Sequence, residues 1–224
     1  MGTRPVERAR GARGGFTYEQ VSRRDLPFDW ELIAGRIVAR GRIGYWHRVT
    51  RETLAGGLQR ARRAPYAVFA DRRLLADEFT VARPDIVVVD ESRVPAGCAP
   101  EYVPAESVAL VVEIVSTISY SDEWFRKPQL YAAAGIANFW RVERGQDDRP
   151  IVYQYWLDDE SGAYDPAPAG VHAETLTTAV PYPVHVDLSG IRACAPGSAR
   201  AAYRVGDGAR FMRSGPRCPE RGRG

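Results

Sequence analysis

Arg83-Pro84-Asp85-Ile86-Val87-Val88-Val89 and Leu110-Val111-Val112-Glu113-Ile114-Val115-Ser116 are the two stretches whose reading decides the fold. Both are rich in β-branched residues, which suit a pleated, buried surface. Their apolar residues run on almost without alternation, the pattern of strands covered on both faces. Each carries a carboxylate where a charge is expensive. Asp85 opens the first run and Glu113 lies inside the second. An unpaired buried carboxylate costs several kcal/mol, so a cation, a hydrogen-bond cluster or a metal must compensate it. If the two strands are neighbours, both carboxylates meet at one sheet edge and repel. A divalent cation removes that repulsion, and two acids with waters and a substrate phosphate are a usual Mg2+ environment. The ordinary alternative is that Asp85 caps a strand and Glu113 pairs with a buried arginine.

Working outward, Thr17 and Gln20 form a capping-box pattern that predicts a short helix to Arg24. Phe28–Ile33 and Arg36–Ala39 alternate around Ala34-Gly35 and predict a tight hairpin. Trp46, Val49, Thr53, Leu54 and Leu58 recur at helical spacing, with an end near Gly56-Gly57 or Arg62. Tyr66–Ala70 and Arg73–Ala76 read as short strands, and the Pro/Gly-rich Glu91–Ser107 as a loop. A helix is expected over Asp122–Ala134, stopped by Gly135, with its regular part starting near Pro128, which has no N–H to donate. Phe139–Val142 and Ile151–Leu157 are further strands, and residues 164–191 hold β segments broken by prolines. The fold class is therefore α/β with α and β mixed: one central mixed β-sheet flanked by helices.

Composition narrows the function classes. No apolar run approaches the roughly 18–20 residues of a membrane span. The N-terminal MGTRPVERARGARGG lacks the apolar stretch of a secretory signal. Cys98, Cys194 and Cys218 are odd in number and far apart, which fits a reducing cytoplasm and neither a disulfide framework nor a zinc pattern. The net charge of +3 is unevenly spread: residues 1–15 carry +3, residues 200–224 carry +5, and the segment between carries −5. The expected organisation is a disordered basic tail at 1–15, one domain at 16–192 and a second disordered basic tail at 193–224. Of the 31 basic side chains, 30 are arginine and one, Lys127, is lysine. A GC-rich coding sequence explains the thirty; the one invites a chemical reason.

RPDIVVV, LVVEIVS and KPQLYAAAGIANFWRVE, in this order, together with ELIAGRIV at 31–38, resemble the Uma-two family of restriction-endonuclease-like proteins, within the PD-(D/E)xK nuclease superfamily. The resemblance spans about residues 16–192. It implies a restriction-endonuclease-like core and a metal-dependent endonuclease. Asp85 and Glu113 would be the metal ligands, with the Ile114 carbonyl as a third, and the cofactor Mg2+ or Mn2+. Glu31 would add an acid to the site. The superfamily's simplest pattern puts a lysine two residues after the glutamate, on the same strand face, but that position is Val115. The resemblance implies that the lysine has moved to the following helix, where Lys127 would orient the attacking water and steady developing charge. A compact ammonium on a flexible stem suits that role better than a planar guanidinium.

Supporting candidates are His47, which stands where the family often has a histidine, and Ser116, Gln129 and Tyr131. Tyr131 shares a helical face with Lys127, and Asp122 is placed to cap that helix. Trp124, Phe125, Trp140, Tyr153, Tyr155 and Trp156 could stack on bases, though core packing is their ordinary role. The expected partner is nucleic acid, DNA first, with no membrane; a homodimer would suit an enzyme that cuts both strands. Two other readings stay open: an inactive nucleic-acid-binding or dimerising protein that keeps the fold, and an interaction protein whose acids form ordinary ion pairs.

Overall fold

Thr17 caps the first helix as the capping-box pattern predicts: its hydroxyl accepts from the Gln20 N–H and the Gln20 side chain accepts from the Thr17 N–H. The computed structural model describes residues 15–98, 101–115 and 122–191, with side chains in the last segment from Arg126 onward. The basic tails (except Gly15), Ser116 and the side chains of Asp122, Trp124 and Phe125 lie outside the described residues.

The elements follow in chain order as α1 (Tyr18–Ser22), β1 (Trp30–Ile33), β2 (Arg36–Ala39), α2 (Tyr45–Ala61), β3 (Tyr66–Ala70), β4 (Arg73–Asp77), β5 (Thr80–Ala82) and β6 (Ile86–Asp90). After these come β7 (Tyr102–Pro104), β8 (Val108–Ile114), α3 (Asp122–Ala133), β9 (Asn138–Arg144), β10 (Pro150–Asp158), β11 (Ala163–His172), β12 (Thr175–Thr178) and β13 (Val184–Asp187). The central sheet has six strands in the order β11-β10-β9-β8-β6-β3. It is mixed: β8 and β9 run parallel and its other pairs antiparallel. The N-terminal hairpin does not join it. β1 and β2 belong to a second, five-stranded sheet ordered β2-β1-β5-β4-β7, and β12 pairs with β13 alone. The single sheet read from the sequence is thus divided, because pairing between distant strands leaves no local mark. β7 also lies inside the stretch expected to be loop.

The two apolar runs are double-sided as expected. Ile86, Val88, Leu110, Val112 and Ile114 pack on one face with Trp46, Leu54 and Leu58 of α2 and with Leu176, Val184 and Val186 of the small hairpin. Val87, Val89 and Val111 face the other way, against Leu74, Val103, Tyr131 and Phe139. Each fully buried side chain of this kind contributes roughly 1.5–3 kcal/mol relative to exposure. Glu113 has the parity of Val111, so it points to the α3 face.

Turn chemistry holds the elements in place. Ala34 and Gly35 both have positive φ (49° and 72°), the requirement of a type I′ hairpin. α3 ends in a Schellman closure: the Gly135 N–H bonds the Ala132 carbonyl and the Ile136 N–H bonds the Tyr131 carbonyl, with Gly135 at φ 73°. Pro128 lies inside α3 rather than near its start. It forfeits a single rung of the hydrogen-bond ladder, and the helix continues on both sides. β11 carries Pro166 and Pro168 and forms the sheet edge, where a missing N–H is tolerated.

Candidate active site

The antiparallel register that pairs Ile86 with Val112 brings Asp85 to the end of β8 beside Glu113. The Ile114 N–H donates to Asp85 Oδ2 at 2.8 Å, which ties the first carboxylate to the strand that carries the second. Glu31 reaches the same place from the other sheet. It accepts from the Arg83 N–H at 2.7 Å and stands 3.1 Å from the Lys127 ammonium. Lys127 Nζ is also 3.1 Å from Glu113 Oε1. One turn along α3, the Tyr131 hydroxyl donates to that same oxygen. His47 Nε2 lies 3.2 Å from Asp85 Oδ2. A carboxylate only accepts, so Nε2 carries the proton in this contact.

All six of these side chains are buried; even Lys127 is 9% exposed. Burial pushes the Glu113 carboxyl up to about 8, with Asp85 and Glu31 adding to the rise while Lys127 and the Tyr131 hydrogen bond oppose it. Burial, with Glu113 and Glu31 nearby, also holds the Tyr131 phenol well above its usual value, so it acts as a neutral donor.

The structure therefore brings together Glu31, His47, Asp85, Glu113, Lys127 and Tyr131. The Ile114 main chain is present through its N–H, while its side chain enters the core beneath α2. Gln129 does not join them. It is exposed and bonds none of these groups, because residues two apart on a helix point to different sides. Trp140 is core and Trp156 is exposed. Glu113's partner is Lys127 and not the arginine of the ordinary alternative.

Sequence reasoning missed Asp71. Its N–H donates to the Asp85 carbonyl at 2.9 Å, and its carboxylate takes Arg40 at 2.7 Å and Arg83 at 2.9 Å. Nothing local to residue 71 signals this.

Whether these groups suit a divalent ion can be tested on one atom. Asp85 Oδ1 is buried and has no hydrogen-bond partner. An orphaned carboxylate oxygen is costly in a low-dielectric site, and a cation is the natural remedy. Among the described residues no three His, Cys, Asp or Glu side chains form a ready-made cage. That excludes a structural-zinc arrangement there more than a Mg2+ one, since Mg2+ keeps several waters and takes one or two carboxylates. The donors fit.

No curated protein matches the chain. Among solved structures it is similar to the crystal structure of a putative nuclease belonging to DUF820 from Anabaena variabilis ATCC 29413. The TM-score is 0.58 at 17% identity, covering 74% of this chain and 89% of that one, a likeness of fold. No helix among the described residues is long and apolar enough to cross a membrane. The family model "Uma2: Putative restriction endonuclease" matches residues 17–180, from the capping box into the connection between β12 and β13, and the chain belongs to that family.

Proposed function

We propose that the protein is a metal-dependent endonuclease that hydrolyses phosphodiester bonds in nucleic acid, with DNA as the first substrate to test. The observation that carries this reading is the convergence of Asp85, Glu113 and the chain's one lysine at the end of β8, with Asp85 Oδ1 left unsatisfied. Asp85 and Glu113 would hold Mg2+ or Mn2+. Such an ion supplies Lewis-acid polarisation of a phosphoryl oxygen and lowers the pKa of a bound water. The remaining work belongs to the chain's own groups. Tyr131 and Lys127 fix the Glu113 carboxylate from one side. Glu31 holds the ammonium from the other, so the positive charge stays at the carboxylates. There it can orient a water and face the negative charge that develops on the phosphoryl oxygens. His47 and the Ile114 N–H fix Asp85 Oδ2, which leaves Oδ1 as the free corner. If both strands are cut, two copies related by a twofold axis are the simplest assembly.

A second reading has its own support. Glu113 Oε1 is already shared by Lys127 and Tyr131, so the acids are partly satisfied without any metal. On that reading the protein binds nucleic acid and does not cut it. Cleavage of plasmid and single-stranded DNA in Mg2+ or Mn2+ decides between them. The nuclease reading expects cleavage that is lost in Asp85→Ala and in Lys127→Ala. Cleavage that survives both substitutions rejects this site. Binding without cleavage favours the second reading.

A further inference from the structure

Next to the carboxylates, three arginines from three separate elements gather on one acid. Arg40 follows β2, Arg51 lies on α2, and Arg83 precedes β6. Arg40 Nη1 is 2.7 Å from Asp71 Oδ1, and Arg83 Nη2 is 2.9 Å from Asp71 Oδ2. Arg83 also donates to the Asp71 carbonyl at 3.2 Å and to Asp29 at 2.8 Å. Arg51 Nη1 comes no nearer to Asp71 than 3.9 Å, outside hydrogen-bonding range. Its guanidinium has five donors and no hydrogen bond to any described residue. The arginine side chains are only 16–19% exposed, so they are held in a recess and do not wave in solvent.

Arg83 already divides itself between Asp71 and Asp29 and Arg40 holds the other Asp71 oxygen, so among the described residues no carboxylate is left at hydrogen-bonding distance for Arg51. Holding Arg51 in place forfeits rotamer freedom without a hydrogen bond in return. A second anion would explain the arrangement. The place is specific too. Arg51 is one helical turn beyond His47, which contacts Asp85, and the Asp71 N–H bonds the Asp85 carbonyl. The recess therefore adjoins the carboxylate that would hold the metal. Asp71 itself has a left-handed backbone (φ 57°), which presents its N–H to Asp85 while its carboxylate faces the arginines.

We propose that Arg51 and Arg40, braced by Asp71 and Arg83, form a binding site for a backbone phosphate of the nucleic-acid strand, next to the phosphodiester that is cut. This rests on the nuclease reading for the identity of the strand. The planar guanidinium fork matches phosphate oxygens in pairs, and charge-assisted bonds of that kind are the strong ones.

The test is binding of a fluorescein-labelled DNA oligonucleotide to the full chain by anisotropy, over a series of salt concentrations and with Ca2+ present. Arg51→Ala is expected to weaken binding about tenfold. It should also lower the slope of log K against log salt by about 0.7–0.9, the share of one phosphate contact. Arg51→Lys should restore most of the slope and only part of the affinity. Arg40→Gln should act in the same direction. Urea denaturation of Arg51→Ala should stay close to the parent, since Arg51 makes no hydrogen bond to any described residue. Wild-type affinity and slope in Arg51→Ala overturn the proposal, because binding would then come from other basic residues such as the tails. A wild-type chain that binds no oligonucleotide overturns it together with the nucleic-acid reading. Arg51-dependent binding without cleavage supports the phosphate site and rejects the nuclease reading alone.

Discussion

Replacing Lys127 by methionine keeps the stem and removes the ammonium. At 3.1 Å and an effective dielectric of about 20, its ion pair with Glu31 has a gross attraction of roughly 5 kcal/mol, and the contact with Glu113 gains a similar attraction once that carboxyl ionises. Desolvation of the charges offsets much of that, so the measurable loss is the cost of stranding the buried Glu31, about 3–5 kcal/mol. That loss depends on pH in a definite direction. Glu113 has a folded-state pKa raised from 4.5 to about 8, so its contribution to stability is present below the unfolded value and is lost as pH rises through the folded one. Below about 8 the carboxyl is neutral in both parent and variant and does not distinguish them. Without Lys127 the carboxyl rises further still. Ionising Glu113 then costs the variant more, by about 1.4 kcal/mol per pH unit. Between pH 8 and 9.5 the gap between parent and variant should widen by about 2 kcal/mol. Urea denaturation at pH 6.5 and 9.5, analysed by linear extrapolation, measures it. A gap that is the same at both pH values, or that stays under about 1 kcal/mol at pH 9.5, refutes the buried bridge.

Further outcomes follow from single contacts. If Glu113 is protonated at neutral pH, a divalent cation must displace that proton. Mn2+ titration calorimetry in buffers of different ionisation enthalpy should report about one proton released per ion at pH 7, with affinity rising toward pH 8; zero release would place the ion elsewhere. Tyr131→Phe removes the hydroxyl partner of the buried Glu113 carboxyl and should cost about 1–3 kcal/mol in urea denaturation. In α2, a methyl group at Gly57 would run into Val186 of the β12–β13 hairpin. Gly57→Ala should therefore destabilise by about 1–3 kcal/mol despite better helix propensity, and Val186→Ala in the same chain should recover most of the loss.

The parts of this protein that were legible in the sequence are those decided by neighbours in the chain. The capping box at Thr17, the hairpin at Ala34-Gly35 and the stop at Gly135 each depend on a few adjacent residues. β6 and β8 were legible because burial on both faces leaves an unbroken apolar run, and their carboxylates were conspicuous against it. The site was half legible. Asp85, Glu113 and Lys127 stood out by type and by family likeness, but Gln129 did not follow them, since its position on the helix turns it away. The division into two sheets was hidden, because β5 has three residues and β7 lies within a Pro/Gly-rich stretch. Asp71 was hidden for a related reason. Its importance comes from Arg40, Arg51, Arg83 and the Asp85 carbonyl, none of which is adjacent to it in sequence.

Glu31 comes from one sheet, Asp85 and Glu113 from another, and Lys127 from the helix that follows both. The site thus has no local precursor. A chain still leaving the ribosome can pair β6 with β8 and bring the two acids together, but their cation arrives only after residue 127 has emerged and α3 has docked. Contacts of such long sequence separation form late, after loop closure has been met by other packing. A site built this way cannot be assembled before its last element has docked. On the nuclease reading proposed above, that delay would keep activity from the unfinished chain.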